Sequence, residues 1–260
     1  MIKRTLSNKQ IVALPHQLKS ILVLLIILST SLEVTANSFV RVQTDVGDFT
    51  VELFEDTAPI TTRNFLNYVR SDSYQSTIIH RAEPGFVLQT GKISSNEAAN
   101  TIEPILKGSP ITLEYQLPNV FGTIAMARTA LPDSATSEWF VNLADNTAIL
   151  GEENSGGYAV FGRVIGNGMA VIQKIENLKR DRYINEIPFD VPVIDYSGSG
   201  LNVKNFVNLQ VIEIVAPNYF DNSDGTLHIK VDAGTAGFAE LTFSVSQSAP
   251  DDIVKLETVE

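Results

Sequence analysis

The sequence predicts a mainly β fold, a closed antiparallel barrel of about eight strands with an α-helix at each end, followed by a C-terminal β-hairpin. Three observations lead there. Short segments alternate apolar and polar residues, the two-residue period of a half-buried strand. Most are separated by hairpin-length turns containing Gly, Asn or Asp. Only two stretches carry the apolar spacing of a helix. Closure into a barrel removes the edges that an open sheet would expose.

Phe39–Thr44 and Phe49–Phe54 alternate on either side of Asp45-Val-Gly-Asp48 and form a first hairpin. Pro59 then opens a helix over Ile60–Arg70, with Ile60, Asn64/Phe65, Tyr68 and Val69 marking one face. Ile79–Gly91 reads as a second hairpin around Pro84-Gly85. Lys92–Asn119, with Pro104, Pro110 and Pro118, has the composition of a long irregular loop, within which Ile111–Tyr115 is a candidate short strand. Gly122–Thr129, Asp133–Asn146 and Gly157–Ile165 each include a short apolar strand. Gly168–Asn177 is the second helix, with Met169, Ile172 and Ile175 on its buried face. Pro192–Asp195 and Val207–Ile214 read as closing strands, and Thr226–Asp232 with Ala239–Val245 as the terminal hairpin.

Residues 1–36 are a different material. Lys3, Arg4, Lys9 and Lys19 precede or flank the apolar run Ile21–Leu28, and Val34-Thr35-Ala36 places small residues before a cleavage point. That is the layout of a secretory signal peptide. The apolar run is well short of the ~20 residues of a membrane-spanning helix, which favours cleavage over a retained anchor. The expected organisation is a signal at 1–36, a barrel domain at 37–215 and an extension at 216–260. The mature protein is expected to be periplasmic or secreted, monomeric and not stably inserted in a membrane.

The chain has 260 residues and a net charge of −11, enough length for one large domain with its own core. Four of its 19 basic residues and one of its 30 acidic residues fall in 1–36, so the remainder carries −14. That balance argues against nucleic acid as a partner, because nucleic acid needs a basic face. The absence of cysteine excludes disulfides, thiol chemistry and a lipidated cysteine anchor. The three histidines, His16, His80 and His228, are too scattered for a metal site, and no cofactor is expected. Asp221–Gly225 lacks the ligand spacing of a calcium loop and reads as a turn.

The most informative stretch is Ile79–Gly91, which places Arg81, Phe86 and Gln89 around a Pro-Gly turn. Taken alone, it is compatible with an ordinary hairpin carrying a solvated arginine and a core phenylalanine. A cation, an aromatic wall and an amide converging on one cleft would instead suit a neutral, extended peptide rather than a phosphate or a metal. Strand side chains alternate between faces, so bringing Phe86 and Gln89 to one site requires a bulge or a twist.

His80-Arg81, Pro84-Gly85-Phe86 and Gln89 resemble the arginine strand of the cyclophilin-type peptidyl-prolyl cis-trans isomerases. Gly122-Thr-Ile-Ala-Met-Ala-Arg-Thr129, Ser137-Glu-Trp-Phe-Val-Asn142 and Tyr158-Ala-Val-Phe-Gly162 are similar to later blocks of that family, in the same order. The wording looks most like the exported, periplasmic bacterial branch, and the resemblance covers roughly residues 38–215. It implies an eight-stranded barrel with two capping helices and a site on the outer face. It implies that Arg81 is the catalytic arginine and Gln89 the amide that holds the substrate backbone. Phe86 and Phe140 match the walls of the proline pocket, with Met126 and Leu150 as candidates beside them. Ala127 and Arg128 match the segment whose main chain pairs with the bound peptide, and Tyr158 stands where many members have histidine.

Three features depart from the family. One is Thr147-Ala-Ile-Leu150, which lacks the tryptophan that many members use against cyclosporin, so weak binding of that drug is expected. Glu138 replaces the usual glutamine and could pair with Arg81, either orienting it or competing with substrate. Trp139 replaces the usual phenylalanine and reads as a core residue. The implied function is rotation about X-Pro bonds, assisting the folding of exported unfolded or flexible chains, with proline-containing polypeptides as partners. A non-catalytic peptide-binding or scaffolding module of the same fold is the alternative.

Overall fold

A computed structural model of the chain describes residues 37–182, 187, 189–214, 219–221, 226–232, 238–245 and 256–258, with side chains through 214. The signal expected at 1–36, and residues 222–225 of the turn expected at Asp221–Gly225, lie outside the described residues.

β1 (Phe39–Thr44) and β2 (Phe49–Leu53) pair antiparallel across the Asp45–Asp48 turn. Val40, Val42, Val51 and Leu53 are fully buried. α1 (Pro59–Arg70) starts on its proline, without a side-chain cap from Ala58 and without an acidic residue in its first turn. The missing acceptor comes from far along the chain. Glu114 accepts from the Ile60 and Thr61 N–H groups (3.0 and 2.7 Å) and from the Thr61 hydroxyl (2.8 Å). Two orphan amide donors are thereby satisfied, and a carboxylate faces the positive end of the helix dipole. The helix buries Thr61, Thr62, Phe65, Leu66, Tyr68 and Val69, whereas Ile60 is 41% exposed. Phe65 defines the inner face, and the residues three and four places before it are Thr62 and Thr61 rather than Ile60.

β3 (Thr77–Ile78), β4 (Arg81–Glu83), β5 (Val87–Thr90), β6 (Ile93–Asn96) and β7 (Thr101–Pro104) follow in order. β8 (Thr123–Met126), β9 (Trp139–Asn142) and β10 (Val160–Ile165) are the three short apolar strands read from the sequence. α2 (Thr147–Leu150) is a single turn, and α3 (Gly168–Glu176) buries Ile172 and Ile175. β11 (Arg180–Arg182) pairs with β12 (Asp190–Pro192), and β13 (Asn208–Ile214) returns beside β1.

The main sheet runs β4-β5-β9-β8-β10-β2-β1-β13-β3-β6-β7, eleven strands with open ends, in place of the closed eight-stranded barrel expected. The difference has two sources. Part of Lys92–Asn119, read as a loop, forms the β6–β7 hairpin and extends one end of the ladder. The segment from Thr77 to Glu83 also changes partners midway, pairing first with β13 and then with β5. The switch falls between Ile79, whose N–H donates to Val207 O, and His80, whose N–H donates to Gln89 O, both at 3.1 Å. Pro192–Asp195 does not join this sheet either. Pro192 has no N–H to donate and ends β12, and Val193 N–H donates to Lys179 O (2.8 Å) and Val193 bridges to Phe206 rather than pairing with a strand of this sheet. Ile111–Tyr115 stays irregular apart from a bridge from Ile111 to Ala135; Leu113 N–H donates to Asp133 Oδ1 (2.8 Å) and the Glu114 side chain caps α1.

β14 (Tyr219–Asp221), β15 (Thr226–Asp232), β16 (Phe238–Val245) and β17 (Leu256–Thr258) form a separate antiparallel sheet in that order. Its centre, β15–β16, is the hairpin read from the sequence, with one further strand on each side.

Among the described residues, three apolar clusters position the remainder. The largest holds Phe65, whose ring centroid lies 5.1–5.6 Å from those of Tyr74, Trp139 and Phe161. A second gathers Ile78, Ile93, Ile187, Val191, Val193, Val203 and Phe206. A third consists of Val87, Ala125, Phe140, Leu150 and Val160. Trp139, 1% exposed, belongs to the first and fills the core position expected for it. Gly91 is left-handed (φ +80°), and a Cβ there would collide with Ser137 O, so only glycine lets β5 end this close to the start of β9. Because Phe65 touches three other aromatic rings, Phe65→Ala should cost about 3–5 kcal/mol in urea unfolding. A loss below about 1 kcal/mol would contradict its central place.

Candidate active site

Pro84, Gly85 and Phe86 join β4 to β5. Gly85 takes φ +69°, and Phe86 N–H closes the turn on Glu83 O at 2.9 Å. Arg81 and Gln89 are direct cross-strand partners, so their side chains leave one face of the ladder. Phe86 belongs to the turn, and β5 begins at Val87, so no bulge is required. Val87 and Gln89, two residues apart, share the cleft face. The turn is fixed from behind, where Phe86 O accepts from Leu143 N–H (2.9 Å) and Asn146 Nδ2 (2.8 Å). Asn146 Nδ2 also donates to Asn142 Oδ1 at 2.9 Å.

Arg81, Phe86, Gln89, Ala127 and Arg128 line one cleft of about 470 Å³ together with Glu138, Phe140, Leu150 and Tyr158. Met126 is the exception among the residues expected there. Alternation along β8 sends it into the main core, 1% exposed, while Ala125 and Ala127 face the third cluster. Val87, buried with Phe140 and Leu150, takes the place expected for Met126. Its signal in the sequence is its offset of two from Gln89. Phe189 also lines the cleft, from a stretch that carries no motif.

The polar groups form an ordered chain. Arg81 Nε donates to Glu83 Oε1 at 2.8 Å, with Nη2 at 2.7 Å from the same oxygen, and Nη1 donates to Gln89 Oε1 at 3.1 Å. Gln89 Nε2 donates to Glu138 Oε2 at 3.0 Å, and Lys107 Nζ donates to Glu138 Oε1 at 3.1 Å. A guanidinium can only donate and a carboxylate can only accept, so the Gln89 amide has one possible orientation. Glu138 therefore acts on Gln89, and the carboxylate paired with Arg81 is Glu83.

Burial alone would raise the Glu138 carboxyl, but His80 and Lys107 outweigh it and hold the group down to about 2. At 3.6 Å the His80 contact is too long for a hydrogen bond, so Lys107 and Gln89 supply the directional bonds. Burial, partly offset by Glu138, lowers the pKa of His80. On the other side of the cleft, Arg128 Nε donates to Gly157 O (2.8 Å) and Nη2 to Asn154 O (2.7 Å). Its guanidinium carbon lies 4.4 Å from the centroid of Tyr158, which meets Phe140 edge-on at 5.9 Å. Ala127 N–H donates to Glu138 O at 2.8 Å.

A carboxyl lowered on folding stabilises the protein above its unfolded value and loses that contribution as pH falls through the folded one. For Glu138 the window runs from 4.5 down to about 2. Between pH 7 and about pH 3 the urea midpoint of wild type should accordingly fall further than that of Glu138→Gln. Equal falls would show that Glu138 is not held in this way.

The sequence model of the family described as cyclophilin type peptidyl-prolyl cis-trans isomerase matches residues 39–196. A peptidyl-prolyl cis-trans isomerase of Acinetobacter baylyi is 40% identical over 168 residues, which are 64% of this chain and 86% of that protein. Peptidyl-prolyl cis-trans isomerase B of Escherichia coli is 40% identical over 147 residues, 55% of this chain and 87% of that one. A crystal structure of a Cryptosporidium parvum cyclophilin type isomerase shares the fold at 21% identity, with a TM-score of 0.51 over 70% of this chain and 99% of that one. By sequence and by fold, the chain belongs to the cyclophilin-type peptidyl-prolyl cis-trans isomerase family and is an enzyme of that class.

Proposed function

We propose that this isomerase turns X-Pro bonds in exported, unfolded or flexible polypeptides and so assists their folding, with Arg81 as the catalytic donor. The observation that carries the reading is the bonding of Arg81. Glu83 and Gln89 occupy at most three of its five N–H groups, which leaves at least two for a substrate in the cleft.

An X-Pro bond resists rotation by roughly 18–20 kcal/mol because twisting it breaks the amide resonance. Uncatalysed exchange takes tens of seconds. As the bond twists, the prolyl nitrogen becomes pyramidal and gains a lone pair that the planar amide does not offer. A guanidinium donating to that nitrogen binds the twisted state alone, which is how binding energy accelerates a reaction. Phe86, Val87, Phe140 and Leu150 give the proline ring an apolar seat, with Tyr158 behind Phe140. Gln89 holds the substrate backbone, and Glu138 fixes the direction of its amide. The Ala127 N–H is already bonded, so main-chain pairing with the peptide falls to Arg128.

The signal-like residues 1–36 support export and an enzyme of residues 37–215 outside the cytoplasm, followed by the extension at 216–260. Such a protein meets chains that are still unfolded, whose prolines isomerise slowly without help. It is read as a monomer in the periplasm or the medium.

The test is cis–trans exchange of a short Ala-Pro peptide followed by NMR. Removing a transition-state donor typically costs about 10²–10³-fold, so Arg81→Ala should lower kcat/KM by that much while the fold persists. Undiminished turnover would remove Arg81 from the mechanism. Peptide binding without exchange, in wild type itself, would leave only the binding module.

A further inference from the structure

Arg81 has an aromatic neighbour that the mechanism above does not use. Its guanidinium carbon lies 4.9 Å from the ring centroid of Phe189 and 5.6 Å from that of Phe86. Phe189 reaches the cleft from the connection between β11 and β12, and it is held there independently of Arg81. Ile187 and Val191, two residues to either side, are 2% and 0% exposed within the second apolar cluster, against which Phe189 also packs. Phe189 also lines the cleft alongside Arg81 and Gln89.

We propose that Phe189 is a positioning residue for the isomerase reaction, fixing the tilt of the Arg81 guanidinium. The inference rests on the proposed role of Arg81 as donor. Glu83 and Gln89 bond the guanidinium at its edge, which sets where it lies but resists tilting only weakly. An aromatic ring attracts the cation through its face and supplies the missing restraint. The benefit goes to the transition state, because a donor already aimed at the prolyl nitrogen needs no reorientation when the lone pair forms.

Phe189→Leu keeps apolar volume and removes the ring, whereas Phe189→Tyr keeps the ring. Both are compared in the full-length wild-type and Arg81→Ala backgrounds by NMR exchange on an Ala-Pro peptide, beside urea midpoints. A cation–π contact of ordinary strength corresponds to about a 2- to 30-fold change. Phe189→Leu should lower kcat by that factor with KM within about twofold, Phe189→Tyr should restore it, and neither should change the residual rate of Arg81→Ala. An unchanged kcat in Phe189→Leu beside a crippled Arg81→Ala would overturn this inference alone. The same is true of an equal loss in both backgrounds, or of a rise confined to KM. Wild-type turnover in Arg81→Ala would overturn the parent reading, and this one with it.

Discussion

A hydrogen-bond donor lowers the barrier to amide rotation only when it is already in place, since reorienting it during the twist would consume part of what the bond returns. The guanidinium of Arg81 meets that condition through obligate polarity. Glu83 and Gln89 accept from it, Glu138 accepts from Gln89, and Lys107 donates to Glu138. Each group in the series has one permissible direction, so the amide of Gln89 cannot turn over without breaking two bonds at once. The carboxylate that replaces the family's usual glutamine fits this order as an acceptor that stays ionised well below neutral pH.

The fold delivers those groups from β4, β5, the start of β9 and, for Lys107, the connection after β7. β4 and β5 bring Arg81 and Gln89 into register. β9 carries Phe140, with Glu138 immediately before it, and pairs with β5 so that Gln89 faces Phe140. Gly91 permits the close approach of Ser137 O, and thereby sets Glu138 beside Gln89. The Asn142–Asn146 pair then anchors the Phe86 turn to the far end of β9. Arg128 acts as a staple more than as a substrate cation, since its guanidinium is spent on the carbonyls of the 154–157 turn and on the face of Tyr158.

Much of this was legible in the residues. Alternation located β1, β2, β5, β8, β9, β10 and β13, the apolar spacing located α1 and α3, and the blocks around Arg81, Glu138 and Tyr158 placed most of the cleft. What escaped was long-range or hidden by local composition. Nothing near Glu114 marks it as the partner of a helix 53 residues away. The β6–β7 hairpin lies in a proline-containing stretch whose strands are short and largely polar. The block around Met126 resembles the family and points to the cleft, although β8 alternation turns its side chain inward, and Val87 carries no signal as conspicuous as those of Phe86 and Gln89. Phe189 has no local pattern at all, and only the tertiary fold brings it to Arg81.

In the proposed mechanism the rate comes from a planar, pre-aimed guanidinium and not from positive charge as such. Arg81→Lys separates the two, because lysine keeps the charge but loses the fork that bonds Glu83 and Gln89 together. Measured by NMR exchange of an Ala-Pro peptide, Arg81→Lys should fall to within about tenfold of Arg81→Ala. A lysine variant that retains most of the wild-type kcat/KM would contradict the account and make simple electrostatic attraction sufficient.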